Sequence, residues 1–288
     1  MKKVLITGAN GFISKSISKR LKESGMFVIG TSRTADPVRN FDKVIGGVLG
    51  EPLNGVYEKH EIDVIIHCAY DKHDIDNRRN AEGTILWAEE AERNNVGLQI
   101  FMSSLSADKD AIAPYGKKKY EVERWFIEHN QVIFRLGLVA GSEGLFGRII
   151  STVRRSLVVP LVDGGKTLTY LTDIDTLCNV ALDTVLGENE IQRGKVWFLQ
   201  QETPFFFVDI LMEIKRQSNL FRIFIPIPFI MIALIVSILE KFRFLKLGIN
   251  TNNLKGMRQL GGKKFKSDLD FLGYSETPLE KLIEKAVH

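Results

Sequence analysis

Short apolar segments alternate with segments of helical periodicity over the first half of the chain. The apolar segments lack regular polar alternation, which is typical of strands buried on both faces. Between them, apolar residues recur every three or four positions, which predicts helices that cover a parallel sheet. The predicted strands are 4–7, 26–30, 63–70, 98–104 and 131–138, and the predicted helices are 12–24, 80–95 and 115–129. The fold class is therefore α/β, with a doubly wound parallel sheet.

The alternation weakens after residue 141, which indicates a second, smaller lobe. The later predicted elements are a helix at 143–155, a loop or short extended segment at 160–168, a helix at 173–186 with Thr172 and Asp173 as N-cap residues, a strand at 195–199 and a helix at 278–286. We predict a first domain over 1–140, with 166–200 returning to its sheet. The C-terminal lobe then consists of 141–165 and 201–288.

Residues 223–239 form an uncharged apolar run, and the basic segment 240–248 follows it. The run is slightly short for a membrane span and carries Pro226 and Pro228 near its start. We predict that it forms a helix in the wall of the smaller lobe. Attachment of an exposed face to a membrane surface is the less favoured alternative.

Composition and charge exclude several classes of protein. Of the 288 residues, 44% are hydrophobic and 26% are charged, so the chain is neither disordered nor of low complexity. The 39 Lys and Arg are scattered among 35 Asp and Glu, so the net charge of +4 gives no reason to expect nucleic acid as a partner. Cys68 and Cys178 lie in apolar stretches, and the N-terminus lacks the apolar core of a signal peptide. We expect a cytoplasmic protein with reduced thiols and no metal site.

A glycine-rich turn joins the first predicted strand to the first predicted helix. From Gly8 to Ser14 it reads Gly-Ala-Asn-Gly-Phe-Ile-Ser. Such a turn brings backbone amides at a positive helix N-terminus close to a pyrophosphate, which favours a Rossmann-type dinucleotide site. Serine is small enough to replace the usual third glycine. The residues expected to contact the cofactor here are Gly8, Asn10, Gly11, Phe12 and Ile13.

The second predicted strand ends without the acidic residue that selects NAD. Thr31, Ser32 and Arg33 stand there instead. Ser32 can donate to a phosphate oxygen, and Arg33 can pair with a 2′-phosphate or stack on adenine. We therefore favour NADP(H), with NAD(H) as the alternative. A solvated surface arginine is the other interpretation of Arg33.

Ser104, Tyr115 and Lys119 form a candidate catalytic set. Ser104 ends a strand, and Tyr115 and Lys119 are four residues apart on the following helix, so both lie on one face. An ammonium close to a phenol lowers the pKa of the phenol, and Ser104 can hold a carbonyl or hydroxyl beside Tyr115. Tyr-x-x-x-Lys alone is frequent by chance. Its order after the glycine turn and after Ser103-Ser104 favours a catalytic function.

With these motifs the chain resembles the short-chain dehydrogenase/reductases, in particular the extended, nucleotide-sugar epimerase/dehydratase-like branch. The resemblance covers nearly the whole chain. It rests on the segments TGANGFIS at 7–14, DVIIHCA at 63–69, NAEGT at 80–84, FMSSLSA at 101–107, PYGKKKYEVE at 114–123, FRLGLVAG at 134–141, YLTDID at 170–175 and LDFLGYSETPLEKLIEKAV at 269–287.

The resemblance implies roles for particular residues. Ser104, Tyr115 and Lys119 would be catalytic, and Lys119 would also hold the nicotinamide ribose. Ala69 and Asn80 would belong to the cofactor site. It further implies a nucleotide-diphosphate sugar as the substrate, and a homodimer is one expected assembly.

Two departures from the family narrow the expected activity. Many epimerases have an aspartate where Ser32 stands, so tightly held NAD is in doubt here. Dehydratases of this branch have an Asp-Glu pair where Leu105-Ser106 follows Ser104, so dehydration is disfavoured. We expect hydride exchange at C4 of the sugar in polysaccharide or deoxysugar biosynthesis, with a 4-ketoreductase slightly favoured over a 4-epimerase. A non-catalytic NADP-binding sensor or assembly protein is the alternative from another class.

Overall fold

A computed structural model of the protein describes residues 1–231 and 259–287. Its centre is a seven-stranded parallel sheet in the order β11-β6-β5-β4-β1-β2-β3. These strands are β1 (Lys3–Ile6), β2 (Phe27–Ser32), β3 (Lys43–Gly46), β4 (Val64–His67), β5 (Leu98–Ser104), β6 (Val132–Leu136) and β11 (Val196–Phe198). The strand order reverses between β1 and β4, so a crevice for ligands is expected at the carboxyl ends of these two strands. The predicted doubly wound sheet is confirmed.

Helices cover both faces of the sheet. The α-helices that lie wholly within the described residues are α1 (Phe12–Glu23), α2 (Val56–His60), α3 (Arg78–Arg93), α4 (Pro114–Glu128), α5 (Gly144–Arg155), α6 (Ile174–Leu186), α7 (Phe207–Gln217) and α8 (Leu279–Val287). Alternate strand residues supply the two faces: Val4 and Ile6 pack with α1 and α6, whereas Leu5 packs with Trp87 of α3. Both faces are apolar, which is why the strands show no polar alternation.

Within residues 1–231 and 259–287, three two-stranded ribbons lie outside the main sheet. They pair β7 (Leu138–Ala140) with β10 (Leu171–Asp173), β8 (Val158–Val162) with β13 (Ile223–Ile227), and β9 (Leu168–Thr169) with β12 (Phe205–Phe206). An apolar cluster separate from the sheet joins α5, α7 and α8 around Phe146, Ile210 and Leu282. Asp173 is the N-cap of α6 and accepts a hydrogen bond from the Asp175 backbone, as expected.

The structure corrects two sequence predictions. The segment 131–138, expected to be one strand, divides at Gly137 into β6 and β7. The Gly137 N–H donates to Thr172 Oγ1 (2.9 Å), so the chain leaves the main sheet at this residue. A Cβ at this position would lie 2.3 Å from the Tyr170 carbonyl oxygen, so only glycine permits this close approach. The helix expected over 223–239 is wrong for 223–227, which pair with β8 as a strand. Residues 232–239 lie outside the described residues, and among the helices described none is long and apolar enough to cross a membrane.

Candidate active site

The glycine-rich turn lies against the end of β4. Gly8 has a φ of +75°, and a Cβ there would lie 2.8 Å from the Cα of Ala69. Gly11 is the N-cap of α1, where no side chain caps the first turn that Phe12 and Ile13 begin. The amides of Gly8, Ala9 and Gly11 donate within the protein, so the N–H groups of Phe12 and Ile13 at the start of α1 are those that fit a pyrophosphate group.

Thr7 holds the turn and the end of β4 together. Its Oγ1 accepts hydrogen bonds from the backbone N–H groups of Cys68 (3.0 Å) and Ala69 (2.9 Å). Ser14, fully buried, donates its Oγ to the Thr7 carbonyl at 3.3 Å. Ser14 therefore fits between α1 and β1 in place of a glycine.

The end of β2 presents a serine and an arginine beside the turn. Ser32 is buried and accepts a hydrogen bond from Asn10 Nδ2 at 2.9 Å. Arg33 is exposed. The pKa of Asp71 is lowered first by a hydrogen bond from the His73 backbone and also by nearby cations, which include Arg79 and Arg33. The structure thus brings Asn10, Ser32 and Arg33 to one side of the turn.

Asn80 shapes the loop that follows β4. Its Oδ1 accepts from the Asp71 N–H (2.7 Å), and its Nδ2 donates to the Asp71 carbonyl (2.9 Å). The Asn80 backbone N–H donates to Asp74 Oδ2 at 2.7 Å. Asn80 also lines a cavity with Tyr115 and Lys119, so it supports one wall of the site.

Ser104, Tyr115 and Lys119 meet where β5 ends and α4 begins. The Ser104 Oγ lies 3.1 Å from the Ser106 Oγ. Burial raises the pKa of Tyr115, and the nearby Ser104 side chain opposes this increase. Lys119 Nζ donates to the Met102 carbonyl (2.7 Å) and lies 4.3 Å from the centre of the Phe101 ring. Burial lowers the pKa of Lys119 to about 8.

This arrangement corrects the expected electrostatics of the tyrosine. The sequence predicted that Lys119 would lower the pKa of Tyr115, whereas burial raises this pKa and the side chain that lowers it is Ser104. The two side chains share a face of α4, but the longer lysine reaches across to the backbone of β5 at Met102. Lys119 therefore does not offset the desolvation of the phenol in this arrangement.

Tyr70 is a site residue that sequence reasoning missed. Its ring meets that of Tyr115 edge to face, with centroids 5.6 Å apart. Both tyrosines line the cavity that extends to Asn77, Asn80, Thr84 and Phe101. The sequence offered one signal, because Tyr70 directly follows the apolar segment that ends in Ala69.

Glu123 and Arg135 were also missed. They form an ion pair of 2.5 Å beneath the catalytic set, and the Glu123 side chain is only 1% exposed. Glu123 lies four residues after Lys119, so helical spacing alone places it on the face of Tyr115 and Lys119.

Several polar residues outside the catalytic set have structural partners. His67 is buried, with Nε2 3.0 Å from Gln99 Oε1, and burial lowers its pKa to about 4, which is typical of a core histidine. Arg154 and Arg222 donate to backbone carbonyls.

The comparison with protein families identifies the chain. The family model described as "NAD dependent epimerase/dehydratase family" matches residues 4–173, which is more than half of the chain. The chain belongs to this family. The matched region contains the glycine turn, the end of β2 and the Ser104, Tyr115 and Lys119 set, so the elements described above are those of an NAD-dependent epimerase/dehydratase.

Solved structures show the same fold. An epimerase from Methanothermobacter thermautotrophicus aligns with a TM-score of 0.76 at 15% identity, over 99% of this chain and 91% of that one. UDP-glucose 4-epimerase from Thermotoga maritima, solved with UDP-glucose, aligns with a TM-score of 0.74 at 15% identity, over 99% and 97% of the two chains. UDP-glucuronic acid 4-epimerase from Bacillus cereus, solved with UDP-glucuronic acid and NAD, gives 0.72 at 17% identity, over 99% and 98%.

A curated relative matches part of the chain. This is 3-oxoacyl-(acyl-carrier-protein) reductase of Buchnera aphidicola, 36% identical over 83 residues, or 24% of this chain. The chain spans about a third of the length of that relative, since the match covers 34% of it.

Proposed function

We propose that the protein is an NAD(P)-dependent oxidoreductase that exchanges hydride with C4 of a nucleotide-diphosphate sugar. The observation that carries this proposal is the proximity of Ser104, Tyr115 and Lys119 where β5 ends and α4 begins, at the carboxyl edge of the sheet. Membership of the family and the uncapped glycine turn of Gly8 and Gly11 support it. The nucleotide sugars bound by the structural neighbours from Thermotoga maritima and Bacillus cereus support the substrate class.

Each residue of the set has a distinct role in the proposed reaction. Ser104 orients the oxygen on C4 by a hydrogen bond. Tyr115 donates a proton to that oxygen when a ketone is reduced, or accepts one when a hydroxyl is oxidised. Lys119 binds the nicotinamide ribose. The nicotinamide cofactor, when bound, supplies or accepts the hydride, and the amides of Phe12 and Ile13 hold its pyrophosphate.

A 4-ketoreductase is slightly favoured over a 4-epimerase. Many epimerases with tightly held NAD have an aspartate where Ser32 stands, so Ser32 argues against tightly held NAD here. Dehydration stays disfavoured, because the residues after Ser104 are a buried Leu105 and Ser106, whose Oγ lies 3.1 Å from Ser104 Oγ. Neither can remove a C5 proton as a carboxylate would.

NADP(H) is the cofactor we favour, and NAD(H) is the alternative that the family description supports. The support for NADP(H) is local: Asn10 orients Ser32, and Arg33 is exposed next to it. A hydroxyl and a guanidinium suit a 2′-phosphate better than a 2′-hydroxyl.

The proposal includes a setting for the enzyme. We propose a cytoplasmic protein of polysaccharide or deoxysugar biosynthesis, with 1–140 as the dinucleotide-binding domain and 141–165 and 201–288 as the substrate lobe. A homodimer is the proposed assembly. A non-catalytic NADP-binding sensor on the same fold is the alternative, and the complete catalytic set argues against it.

Two measurements test the proposal. The first is mass spectrometry of any cofactor released from denatured protein, in which retained NAD would favour the epimerase and an empty site that takes up NADPH would favour the reductase. The second is turnover of nucleotide 4-keto sugars and nucleotide sugars by the pure protein. Absence of turnover together with dinucleotide binding would favour the sensor.

A further inference from the structure

Three residues in adjacent strands lie side by side, one position before the catalytic edge of the sheet. Ser103 of β5 pairs in register with Arg135 of β6, and Arg135 pairs in register with Phe198 of β11. Registered residues of parallel strands point to the same face of the sheet. The Arg135 guanidinium lies 5.3 Å from the centre of the Phe198 ring, so these two side chains contact each other.

Glu123 of α4 joins this row. Its Oε1 accepts hydrogen bonds from Ser103 Oγ (2.6 Å) and from Arg135 Nε (2.8 Å). Its Oε2 accepts from Arg135 Nη2 at 2.5 Å. Both carboxylate oxygens of Glu123 thus accept hydrogen bonds. The ion pair with Arg135 is bidentate, so it fixes the relative orientation of the two side chains as well as the distance between them.

The contact belongs to a series along one face of α4. Tyr115, Lys119 and Glu123 follow one another at intervals of four residues. Lys119 donates to the Met102 carbonyl, Glu123 accepts from Ser103 Oγ, and the Tyr115 side chain lies near Ser104. Two hydrogen bonds to consecutive residues of β5 therefore hold this face of α4 against the strand.

We propose that Glu123 and Arg135 are positioning residues, which hold Tyr115 and Lys119 at the reacting edge, with the Glu123 carboxylate one helical turn from the Lys119 ammonium. The proposal rests on the proposed function only for the roles of Tyr115 and Lys119. Neither Glu123 nor Arg135 contacts the cavity that those two residues line. Their effect is therefore exerted through α4.

The groups that face Lys119 explain why the charge of Glu123 matters. Burial is the main influence and lowers the pKa of Lys119, whereas Cys68, which follows β4, and Glu123 of α4 raise it. Burial raises the pKa of the Cys68 thiol to about 12 and lowers that of His67 to about 4, so both are neutral near pH 7. Glu123 is then the group that supplies negative charge to Lys119 at neutral pH.

Cofactor binding at two pH values tests the proposal without a sugar substrate. The variant Glu123→Gln keeps the shape and removes the charge, and Glu128→Gln is the control on the same helix, since Glu128 pairs with Arg124 at the surface. We measure the Kd of NADPH and NADH by fluorescence at pH 6 and pH 8. The ratio of Kd at pH 8 to Kd at pH 6 is expected to rise about threefold or more in Glu123→Gln and to stay unchanged in Glu128→Gln. An unchanged ratio in folded Glu123→Gln would overturn the proposal.

A second variant separates positioning from stability. Glu123→Gln leaves Arg135 without its anion and can fail to fold, whereas Glu123→Leu with Arg135→Met removes both charges and keeps much of the volume. This double variant is expected to fold, with the raised Kd ratio and with kcat reduced about tenfold or more at an unchanged sugar KM. A double variant with wild-type Kd ratio and kcat would show that the pair only stabilises the fold.

Amine labelling of Lys119 distinguishes failure of this proposal from failure of the proposed function. Mass spectrometry after brief acetylation across pH 6–10 gives the pH at which Lys119 is half reactive in the protein alone. We expect this pH to be lower in the double variant than in wild type, and unchanged in Glu128→Gln. If the wild type binds neither dinucleotide, the proposed function fails, and the labelling still decides whether the pair acts on Lys119.

Discussion

Burial shifts the pKa values of Tyr115 and Lys119 in opposite directions. The pKa of Tyr115 rises and that of Lys119 falls to about 8, because desolvation disfavours both the phenolate and the ammonium. The phenol is consequently protonated at neutral pH and can donate a proton without any further shift. Acting as a base would require a nearby positive charge. At the scale of the residue, burial therefore keeps the phenol of Tyr115 in its protonated form.

Removal of the Tyr115 hydroxyl is expected to abolish most of the turnover. Tyr115→Phe removes the proton donor but keeps the edge-to-face contact with Tyr70, so the pocket keeps its shape. We expect turnover to fall about 10²–10⁴-fold with cofactor affinity retained. Steady-state kinetics and a cofactor titration check this, with Tyr120→Phe on the same helix as the control. Near wild-type rates in Tyr115→Phe would place the proton donor elsewhere.

Arg33 is expected to discriminate between the two cofactors. Arg33→Ala should weaken NADPH binding by about 1.5–3 kcal/mol, the range for a charge-assisted hydrogen bond, and leave NADH binding nearly unchanged. Isothermal titration with both cofactors measures this, and Arg39→Ala, another exposed arginine beyond β2, is the control. Equal losses for NADPH and NADH, or no loss, would show that Arg33 does not contact a 2′-phosphate.

At the scale of the element, a glycine sets how closely α4 approaches the loop after β5. Gly116 follows Tyr115, and a Cβ there would lie 2.3 Å from the Ser106 carbonyl oxygen and 2.7 Å from the Ala111 Cβ. The helix and the loop are thus in backbone contact beside the catalytic set. Any added atom must move α4 away from Ser104.

Gly116→Ala is expected to destabilise the protein although alanine favours helices. The gain in helix propensity is about 1 kcal/mol, whereas relief of a 2.3 Å contact with a backbone oxygen requires a shift of the helix. We expect a net loss of about 1–3 kcal/mol in the free energy of unfolding, and a lower kcat. Urea denaturation compares it with Gly97→Ala, where the nearest atom lies 3.6 Å away and little change is expected. A stabilised and fully active Gly116→Ala would contradict this account of α4.

The elements that sequence patterns predicted are those with continuous apolar faces. The strands β1, β2, β4, β5 and β6 and the helices α1, α3 and α4 follow their patterns to within a few residues. Two of the elements missed carry little pattern: β3 is an edge strand with exposed or half-buried residues, and α2 has only five residues. Helix α7 was missed although Ile210, Leu211 and Ile214 recur at helical spacing. The short ribbons depend on pairings with distant segments, which no local pattern contains.

The same limit applies to the site. The positions of Ser104, Tyr115 and Lys119 followed from spacing along one strand and one helix. The hydrogen-bonding partner of each side chain did not follow from this spacing. Lys119, for example, donates to the Met102 carbonyl, and this contact depends on the distance between α4 and β5. The pairing of Glu123 with Arg135 joins two elements and likewise needed the structure.

At the scale of the whole molecule, the C-terminal segment holds the loop between the catalytic residues. Gln259 Oε1 accepts from the Ile112 backbone (3.0 Å), and Lys263 Nζ lies 2.5 Å from Asp108 Oδ2. The same segment forms two hydrogen bonds with the edge strand β11. The Phe198 N–H donates to Asp268 Oδ2, and the Asp268 N–H donates to the Phe198 carbonyl. The loop that separates Ser104 from Tyr115 is therefore restrained by residues more than 140 positions away in the chain.

Loss of the Lys263 ion pair is expected to loosen this loop in a pH-dependent way. The bond from Lys263 lowers the pKa of Asp108 below its usual 3.8, so the pair stabilises the loop at neutral pH and loses this effect as pH falls through the lowered pKa. Both side chains are about a third exposed, so the contribution is about 0.2–1 kcal/mol. Hydrogen exchange of residues 105–113 in Lys263→Met should accelerate at most about fivefold at pH 7, and less in 1 M salt because the pair is screened. Lys264→Met, at an exposed neighbouring residue, is the control. Equal acceleration of exchange in the two variants would show that the ion pair does not restrain the loop. Acceleration in Lys263→Met that persists below the Asp108 pKa would show the same.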